Sequence, residues 1–227
     1  MRIAVLGTGM VGRAHAGRLA ELGHEATMGT RDVERAMAST DEARDGTGTL
    51  SQWLGRTPDV RLATFAAAAA GAELVINATA GQGSLEALRQ AGAGNLDGTV
   101  VLDVSNPLDH SVGFPPRLSV CNDDSVAEGI QREFPAARVV KSLNMVTAAV
   151  MVNPGLLAGD EHAAFVAGND AAAKEKVTGL LRDGFGWKHV IDLGDLTAAR
   201  GMEMYVTLWI RLMGALRTPM FNVAVVT

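Results

Sequence analysis

A glycine-rich turn near the N-terminus constrains the fold of this chain more than any other feature of its sequence. The turn, Gly7-Thr8-Gly9-Met10-Val11-Gly12, follows the apolar run Arg2–Leu6 and precedes a segment whose apolar residues recur at a helical period. Gly7 permits a tight turn, Gly9 lets the backbone approach a ligand, and Gly12 lets the helix pack closely on the strand. We therefore predict a strand–helix–strand unit with a phosphate-binding turn, which is typical of dinucleotide sites.

Beyond this turn, short apolar runs alternate with helical segments, a pattern typical of a parallel sheet covered on both faces. The further predicted strands are Glu25–Gly29, Val60–Ala63, Glu73–Asn77, Thr99–Val104, Ala137–Ser142, Ala163–Ala167 and His189–Leu193. The predicted helices are Met10–Leu22, Val33–Ala43, an alanine-rich helix ending near Gly71, Ser125–Phe134, Ala171–Leu181 and Thr197–Leu216, with a short turn at Ser51–Leu54.

These elements predict an α/β fold of the Rossmann type. We expect a doubly wound, mostly parallel sheet with a smaller C-terminal α/β extension and a long terminal helix. A boundary near residue 140 would separate a dinucleotide-binding domain (1–140) from a C-terminal region (141–227) that serves the hydride acceptor and dimerisation.

The composition is that of an ordinary globular protein and argues against disorder. Of 227 residues, 48% are hydrophobic and 20% are charged, and the net charge of -5 includes no long basic run. We expect no nucleic-acid partner, because phosphate binding requires clustered Lys and Arg. Met1–Leu6 is better interpreted as a strand than as the start of a signal peptide.

Neither a metal site nor a membrane span is predicted. The five histidines lie far apart in the sequence, without the spacing of metal ligands. The alanine-rich run Phe65–Ala72 is too short to cross a bilayer, and the apolar stretch Met202–Leu216 contains Arg211. The single cysteine, Cys121, cannot form an internal disulfide and fits a reducing cytoplasm, and we interpret it as structural rather than nucleophilic.

The residues after the second strand indicate which dinucleotide is bound. Thr30 and Arg31 stand where a carboxylate would accept hydrogen bonds from the ribose of NAD. A hydroxyl and a cation instead suit the 2′-phosphate of NADP, and Arg35 lies one helical turn further on. The alternative is that Arg31 is a solvated surface cation and Asp32 binds NAD. We interpret Asp32 as a helix N-cap or a partner of Arg35, and we predict NADP.

Several stretches of the sequence together resemble one family. They are the glycine turn, Gly29-Thr30-Arg31, Ser105-Asn106-Pro107-Leu108, Val139-Val140-Lys141-Ser142-Leu143-Asn144, and Asp192-Leu193-Gly194 with Ala199-Arg200. The chain resembles the NADPH-dependent reductases of the deazaflavin coenzyme F420, and it is also similar to the cytoplasmic NADPH domain of the six-transmembrane metalloreductases. The resemblance covers nearly the whole chain, and the Val-Val-Lys-x-x-Asn stretch and the C-terminal segment are its more specific parts.

The resemblance implies a set of residues at the nicotinamide end of the cofactor. Ala78, Thr79 and Ala80 would line the nicotinamide half, and Asn106 with Pro107 would flank the carboxamide. The acceptor ring would stack where Asn144, Met145 and Val146 lie beside the nicotinamide. Family members that bind F420 often carry His at the position of Asn144, and a Pro-Trp pair where this chain has Thr79-Ala80-Gly81.

No catalytic residue is assigned from the sequence, because hydride transfer to a flavin-like ring needs no protein nucleophile. Lys141 and Asn144 are the polar candidates beside the nicotinamide. As alternatives, Lys141 would be a solvated lysine at a strand end, and Asn144 would cap a helix beginning near Met145. Tyr205, the single tyrosine, is interpreted as a core or interface residue.

These observations favour a cytoplasmic, NADP(H)-dependent oxidoreductase that transfers hydride between NADPH and a deazaflavin such as F420. Two alternatives stay open: an NADPH-dependent reductase of another small-molecule acceptor (a flavin or quinone), and a non-enzymatic NADP-binding regulator. We also expect a homodimer, because the terminal helix carries more apolar surface than an isolated helix can expose.

Overall fold

The computed structural model describes residues 1–43, 45–157, 159 and 161–227. Its strands are, in chain order, β1 (Arg2–Leu6), β2 (Glu25–Thr30), β3 (Arg61–Thr64), β4 (Leu74–Asn77), β5 (Val100–Asp103), β6 (Leu108–Asp109), β7 (Arg117–Leu118), β8 (Arg138–Ser142), β9 (Ala163–Gly168) and β10 (His189–Asp192). Its α-helices are α1 (Met10–Glu21), α2 (Val33–Ala38), α3 (Leu50–Arg56), α4 (Phe65–Ala69), α5 (Gly81–Ala91), α6 (Ala93–Leu96), α7 (Val126–Glu133), α8 (Ala148–Val152), α9 (Ala171–Gly179) and α10 (Ala199–Leu216). A π-helical segment, Leu180–Phe185, continues α9.

Eight strands form one sheet in the order β10-β9-β8-β5-β4-β1-β2-β3. Six neighbouring strands of this sheet are mutually parallel, namely β8, β5, β4, β1, β2 and β3. Their order is that of dinucleotide-binding α/β proteins. β9 pairs antiparallel with β8 and parallel with β10, so the last two strands run the opposite way. The prediction of a mostly parallel Rossmann-type sheet with a C-terminal α/β extension and a long terminal helix is therefore confirmed.

The sheet is covered on both faces, as the apolar runs predicted. In β1, Ile3 and Val5 pack into one core cluster while Ala4 and Leu6 pack into another, and all four are essentially inaccessible to solvent. The first cluster also contains apolar residues of α1, α3, α8 and α9, and the second those of α4, α5 and α7. The expected boundary near residue 140 falls inside β8, and the division at that point stays a prediction.

The helices of the structure differ from the prediction in several places. The helix expected to reach Ala43 ends at Ala38, because Ser39 is extended and hydrogen bonds locally with Asp41. The turn expected at Ser51–Leu54 is the helix α3, which begins with a capping box between Thr49 and Gln52. The helix α5 was missed altogether, since its two early glycines weaken the helical pattern.

No helix of the described residues has both the length and the apolar character needed to cross a membrane.

Candidate functional site

The crevice between β1 and β4 is the place where the strand order reverses. Chain connections leave these neighbouring strands in opposite directions, and the loops at their carboxyl ends separate to form a binding cleft. Two cavities lie along it, a larger one of about 840 Å³ and a smaller one of about 320 Å³. Met10 lines both cavities, so they adjoin at the glycine turn.

The three glycines of the turn play the different parts that their spacing predicts. Gly7 has a positive φ of 116°, and a Cβ there would lie 2.7 Å from the carbonyl oxygen of Ala78 across the crevice. A Cβ on Gly12 would lie 2.0 Å from the carbonyl oxygen of Gly7. A Cβ on Gly9 would meet nothing within 4 Å, so the space above the turn is open to a ligand.

Three helices begin at the cavities, and none of the three has a side-chain cap. They are α1 after Gly9, α5 after Ala80 and α8 after Thr147, and none carries an acidic residue in its first turn. Their first backbone N–H groups therefore lack the side-chain acceptor that Ser, Thr, Asp or Asn supplies elsewhere in this fold. Uncapped helix N-termini favour anionic or hydrogen-bond-accepting ligands.

The larger cavity holds the residues predicted to recognise the 2′-phosphate. Thr30, Arg31 and Arg35 line it together with Asp32. The carboxylate of Asp32 accepts a hydrogen bond from the backbone N–H of Arg35 at 3.0 Å, so the interpretation of Asp32 as the N-cap of α2 is confirmed. Both arginine side chains are exposed and lie on the same cavity.

Arg13, which sequence reasoning missed, anchors the glycine turn from behind. It lines the larger cavity yet is only 6% exposed. Its guanidinium donates to the carbonyl oxygens of Thr8 at 3.1 Å and Gly48 at 2.7 Å, and to the hydroxyl of Thr47 at 3.2 Å. A charged residue directly after Gly12 on the first turn of α1 was the available signal.

The smaller cavity lies over the carboxyl ends of β4, β5 and β8. The predicted nicotinamide-side residues that line it are Ala78, Thr79, Ala80, Asn106, Asn144 and Val146, and Val11 of the glycine turn lines it as well. Pro107, Met145 and Lys141 do not line it. The neighbouring residue Ser105 does, although sequence reasoning did not single it out.

Asn144 is held in one orientation by Asn106 and by α10. Its amide nitrogen donates to the side-chain oxygen of Asn106 at 2.8 Å and to the carbonyl oxygen of Met202 at 2.9 Å, and Asn106 in turn donates to the backbone oxygen of Asn144 at 2.8 Å. Its side-chain oxygen is buried without a hydrogen-bond partner. The alternative that Asn144 caps a helix near Met145 is wrong, because α8 begins at Ala148.

Lys141 is completely buried, so the alternative of a solvated lysine is wrong. Its ammonium lies 2.7 Å from the carboxylate of Asp103 and 2.8 Å from that of Glu203. Burial acts to lower the pKa of Lys141, but the two carboxylates outweigh it and raise that pKa. Burial also raises the pKa of Glu203, and Lys141 partly offsets that effect.

One side of the smaller cavity is a wall supplied by α10. Val206, Trp209 and Ile210 line it at helical spacing, and His110 lines it from the segment between β6 and β7. The sequence indicated an apolar terminal helix, but it carried no signal for which face of that helix meets the site. Tyr205, on the same helix, is half-buried and lines neither cavity.

A nicotinamide dinucleotide fits this donor set. The open space above Gly9 suits a diphosphate held by the N-terminus of α1. The unpartnered oxygen of Asn144 and the unpartnered hydroxyl of Ser105 both belong to residues of the smaller cavity. A carboxamide carries both a donor and an acceptor, so it can satisfy such buried groups. Within the described ranges, no three His, Cys, Asp or Glu residues are grouped as a metal site would require.

Comparison with known proteins gives a consistent result. Residues 2–107 match the family model described as NADP oxidoreductase, coenzyme F420-dependent. The chain is 29% identical to the F420-dependent NADP reductase of Methanothermobacter marburgensis, over 93% of this chain and 92% of that protein. It is 54% identical to a protein of Arthrobacter sp. FB24 proposed to be an F420-dependent NADP-reductase, whose crystal structure superposes with a TM-score of 0.95 over all of both chains.

More distant structures share the fold alone. An imine reductase from Myxococcus stipitatus, solved with NAD+, is 19% identical and superposes with a TM-score of 0.59 over 95% of this chain and 63% of its own.

Proposed function

The chain belongs to the family of coenzyme F420-dependent NADP oxidoreductases, and we propose that it transfers a hydride between NADPH and the deazaflavin F420. The observation that carries the proposal is a pair of adjoining cavities: the larger one presents the exposed arginines Arg31 and Arg35 at the end of β2, and the smaller one is largely apolar. The first suits the phosphorylated adenosine of NADP, and the second suits two stacked rings.

The predicted cofactor residues are divided between the two ends in a way that supports NADP. Thr30, Arg31 and Arg35 supply a hydroxyl and two cations at the end of β2, where a 2′-phosphate would accept charge-assisted hydrogen bonds. The carboxylate of Asp32 is engaged as the N-cap of α2. An NAD-type site would instead leave a carboxylate free for the ribose hydroxyls.

The residues of this chain orient the reactants and exclude water. The bound nicotinamide supplies the hydride, and a deazaflavin ring accepts it. The side-chain oxygen of Asn144, which is buried without a partner, would accept a hydrogen bond from the carboxamide and so orient the nicotinamide. Val206, Trp209 and Ile210 close the side of the cavity with apolar surface. Most of the rate enhancement then comes from proximity and orientation, as expected when the protein offers no nucleophile.

Turnover with defined acceptors tests the proposal. The protein is mixed with NADPH and F420, and the deazaflavin absorbance is expected to fall as the ring is reduced. FMN and a soluble quinone serve as the other acceptors. Faster NADPH oxidation with FMN or the quinone than with F420 would contradict the deazaflavin assignment. Absence of NADPH oxidation with all three would contradict an enzymatic role and favour a binding regulator.

Arg31→Ala tests the cofactor preference. Loss of a charge-assisted hydrogen bond to phosphate costs about 1.5–3 kcal/mol, so the Kd for NADPH should rise about tenfold to a hundredfold while that for NADH stays the same. Arg61→Ala is the matched control, because Arg61 is also exposed but lies at the other end of the neighbouring strand β3. An unchanged NADPH preference in Arg31→Ala would contradict the assignment.

A homodimer and a cytoplasmic location belong to the same proposal. On α10, Met204 and Leu208 are exposed by 36% and 53%, on the side away from the core residues Met202 and Val206, and Leu216 at the end of the helix is exposed by 54%. A second copy docked on this side would cover the apolar stripe and steady the helix that walls the acceptor cavity. The single free cysteine, Cys121, is compatible with a reducing compartment.

A further inference from the structure

Three ionisable side chains meet in the interior beneath the smaller cavity. Asp103 ends β5, Lys141 lies in β8 and Glu203 belongs to α10, and none of the three is more than 1% exposed. We call them the buried charge cluster. Asp103 and Lys141 are register partners in the sheet, so their side chains share one face of it.

When both of its carboxylates are ionised, the cluster carries one more negative charge than positive charge. Its single ammonium faces two carboxylates, at 2.7 Å and 2.8 Å. The remaining donors to the carboxylates are neutral. Asp103 accepts from the side-chain amide of Asn77 and from the backbone N–H of Ser105, and Glu203 accepts from the backbone N–H groups of Val126 and Ala127. These neutral donors bring no positive charge to the cluster.

The nearby arginine of α10 is committed to another partner. Arg200, one turn before Glu203, is paired with Glu128 at 2.6 Å. It therefore contributes no unpaired positive charge that would neutralise the cluster.

The cluster contacts residues that line the smaller cavity but does not line it itself. The ammonium of Lys141 donates to the carbonyl oxygen of Ser105 at 2.6 Å, and Ser105 lines the cavity. On the other side, the hydroxyl of Thr79, also a lining residue, donates to Asn77, which donates to Asp103. Of the residues that line this cavity, His110 alone has an ionisable side chain, and it lies exposed to solvent.

The oxidised and reduced forms of a nicotinamide differ by one charge on the ring. When a hydride leaves the ring with both of its electrons, the ring gains one positive charge. A fixed negative charge behind the cavity therefore stabilises the oxidised form more than the reduced form, and it does so strongly because the interior screens poorly.

We propose that the buried charge cluster stabilises the oxidised form of the bound nicotinamide relative to the reduced form. NADPH bound at this site is therefore a stronger hydride donor than it would be without the cluster. The inference rests on the proposed function only in that the site binds NADP(H), and it does not depend on the identity of the acceptor. Asp103 and Glu203 act through the field they create, without touching the ring, and are therefore positioning residues rather than catalytic ones.

Separate binding measurements for NADP+ and NADPH, without any acceptor, test this inference. Glu203→Gln and Asp103→Asn each remove one negative charge and keep the side-chain shape. In each variant the ratio of the Kd for NADP+ to the Kd for NADPH should rise about threefold to tenfold, because NADP+ binds more weakly while NADPH binds as before. Thermal melts show that each variant is folded before it is titrated.

Two controls separate charge from geometry. Glu203→Asp keeps the charge and should keep the wild-type ratio. Glu73→Gln removes a carboxylate directly before β4, at the opposite edge of the sheet, and should also leave the ratio unchanged. Equal weakening of both nucleotides, or an unchanged ratio in both charge-removing variants, would overturn the inference.

Wild-type binding distinguishes this inference from the proposed function. If the ratio responds as expected but F420 is not reduced, the acceptor assignment fails and the inference stands. If the wild-type protein binds neither nucleotide, both fail.

Discussion

At the scale of single residues, Gly12 shows how one absent atom sets the geometry of the crevice. A Cβ on residue 12 would lie only 2.0 Å from the carbonyl oxygen of Gly7, well inside van der Waals contact. The Cβ is fixed directly to the backbone and the oxygen is part of it, so neither atom can rotate away as the end of a long side chain would. The helix α1 therefore approaches the turn as closely as its backbone permits, and its first N–H groups reach the cavity floor.

Gly12→Ala is expected to destabilise the protein and to weaken nucleotide binding together. The clash must move α1 away from the turn, at a cost of about 1–3 kcal/mol, which lowers the Tm by several degrees. The control is Gly55→Ala in α3, where a Cβ meets nothing within 4 Å and a slightly higher Tm is expected. A Gly12→Ala variant with wild-type Tm and wild-type NADPH affinity would contradict this account.

At the scale of elements, α1 and the π-helical segment Leu180–Phe185 are joined through a buried histidine. His15 lies on α1 and packs edge-on against Phe185, with ring centroids 5.8 Å apart. One ring nitrogen is 2.9 Å from the carbonyl oxygen of Val11, which can only accept, so that nitrogen carries the proton. The other nitrogen is buried without a partner, and burial lowers the pKa of His15 to about 4.

This contact predicts acid sensitivity of the fold. The unfolded chain takes up a proton on His15 near pH 6.5, whereas the folded chain resists it down to about pH 4. The contribution of neutral, buried His15 to the free energy of unfolding is fully present above pH 6.5. It is lost as the pH falls from 6.5 to about 4, by about 3 kcal/mol in all. In His15→Leu this part of the pH dependence should vanish, as measured by urea unfolding at pH 7 and pH 4.

The exposed histidine His110 supplies the control for that measurement. His110→Leu should keep the wild-type loss of stability between the two pH values. The same loss in His15→Leu as in the wild type would show that other groups cause it.

At the scale of the whole molecule, α10 has two faces with different tasks. The side with Val206 and Ile210 lines the smaller cavity, and on the opposite side Met204 and Leu208 are exposed. If a second copy docks on the exposed side, we expect it to limit the movement of the side that lines the cavity.

Leu208→Asp is therefore expected to yield a monomer. Light scattering should give the mass of two chains for the wild type and of one chain for the variant, because a carboxylate at the centre of an apolar contact is costly to bury. Leu156→Asp, at a residue exposed by 50% outside α10, should leave the dimer intact. A wild-type protein that is monomeric by light scattering would contradict the proposed dimer.

Local sequence patterns were sufficient to predict much of the fold and the glycine turn on one side of the crevice. The bounds of β1 were predicted correctly, and the turn that follows it lies at the crevice. Both depend on neighbours in sequence: a short continuous apolar run for the strand, and glycine sterics for the turn. The helix α5 was missed because packing of Ala87, Leu88 and Ala91 outweighs the weak local propensity of its glycines.

By itself, then, the sequence determined the alternation of strands and helices, the phosphate-binding turn and the position of Arg31 at the end of β2, because each is a property of adjacent residues. Only the tertiary structure decided that β9 runs against β8, and that Lys141 is a buried ion-pair partner rather than a solvated cation. Asp103 lies 38 residues before Lys141, and Glu203 lies on the last helix. Charges so far apart in the chain meet only when the sheet and α10 pack together, so the effect that we propose for them on a bound nucleotide depends on the folded geometry.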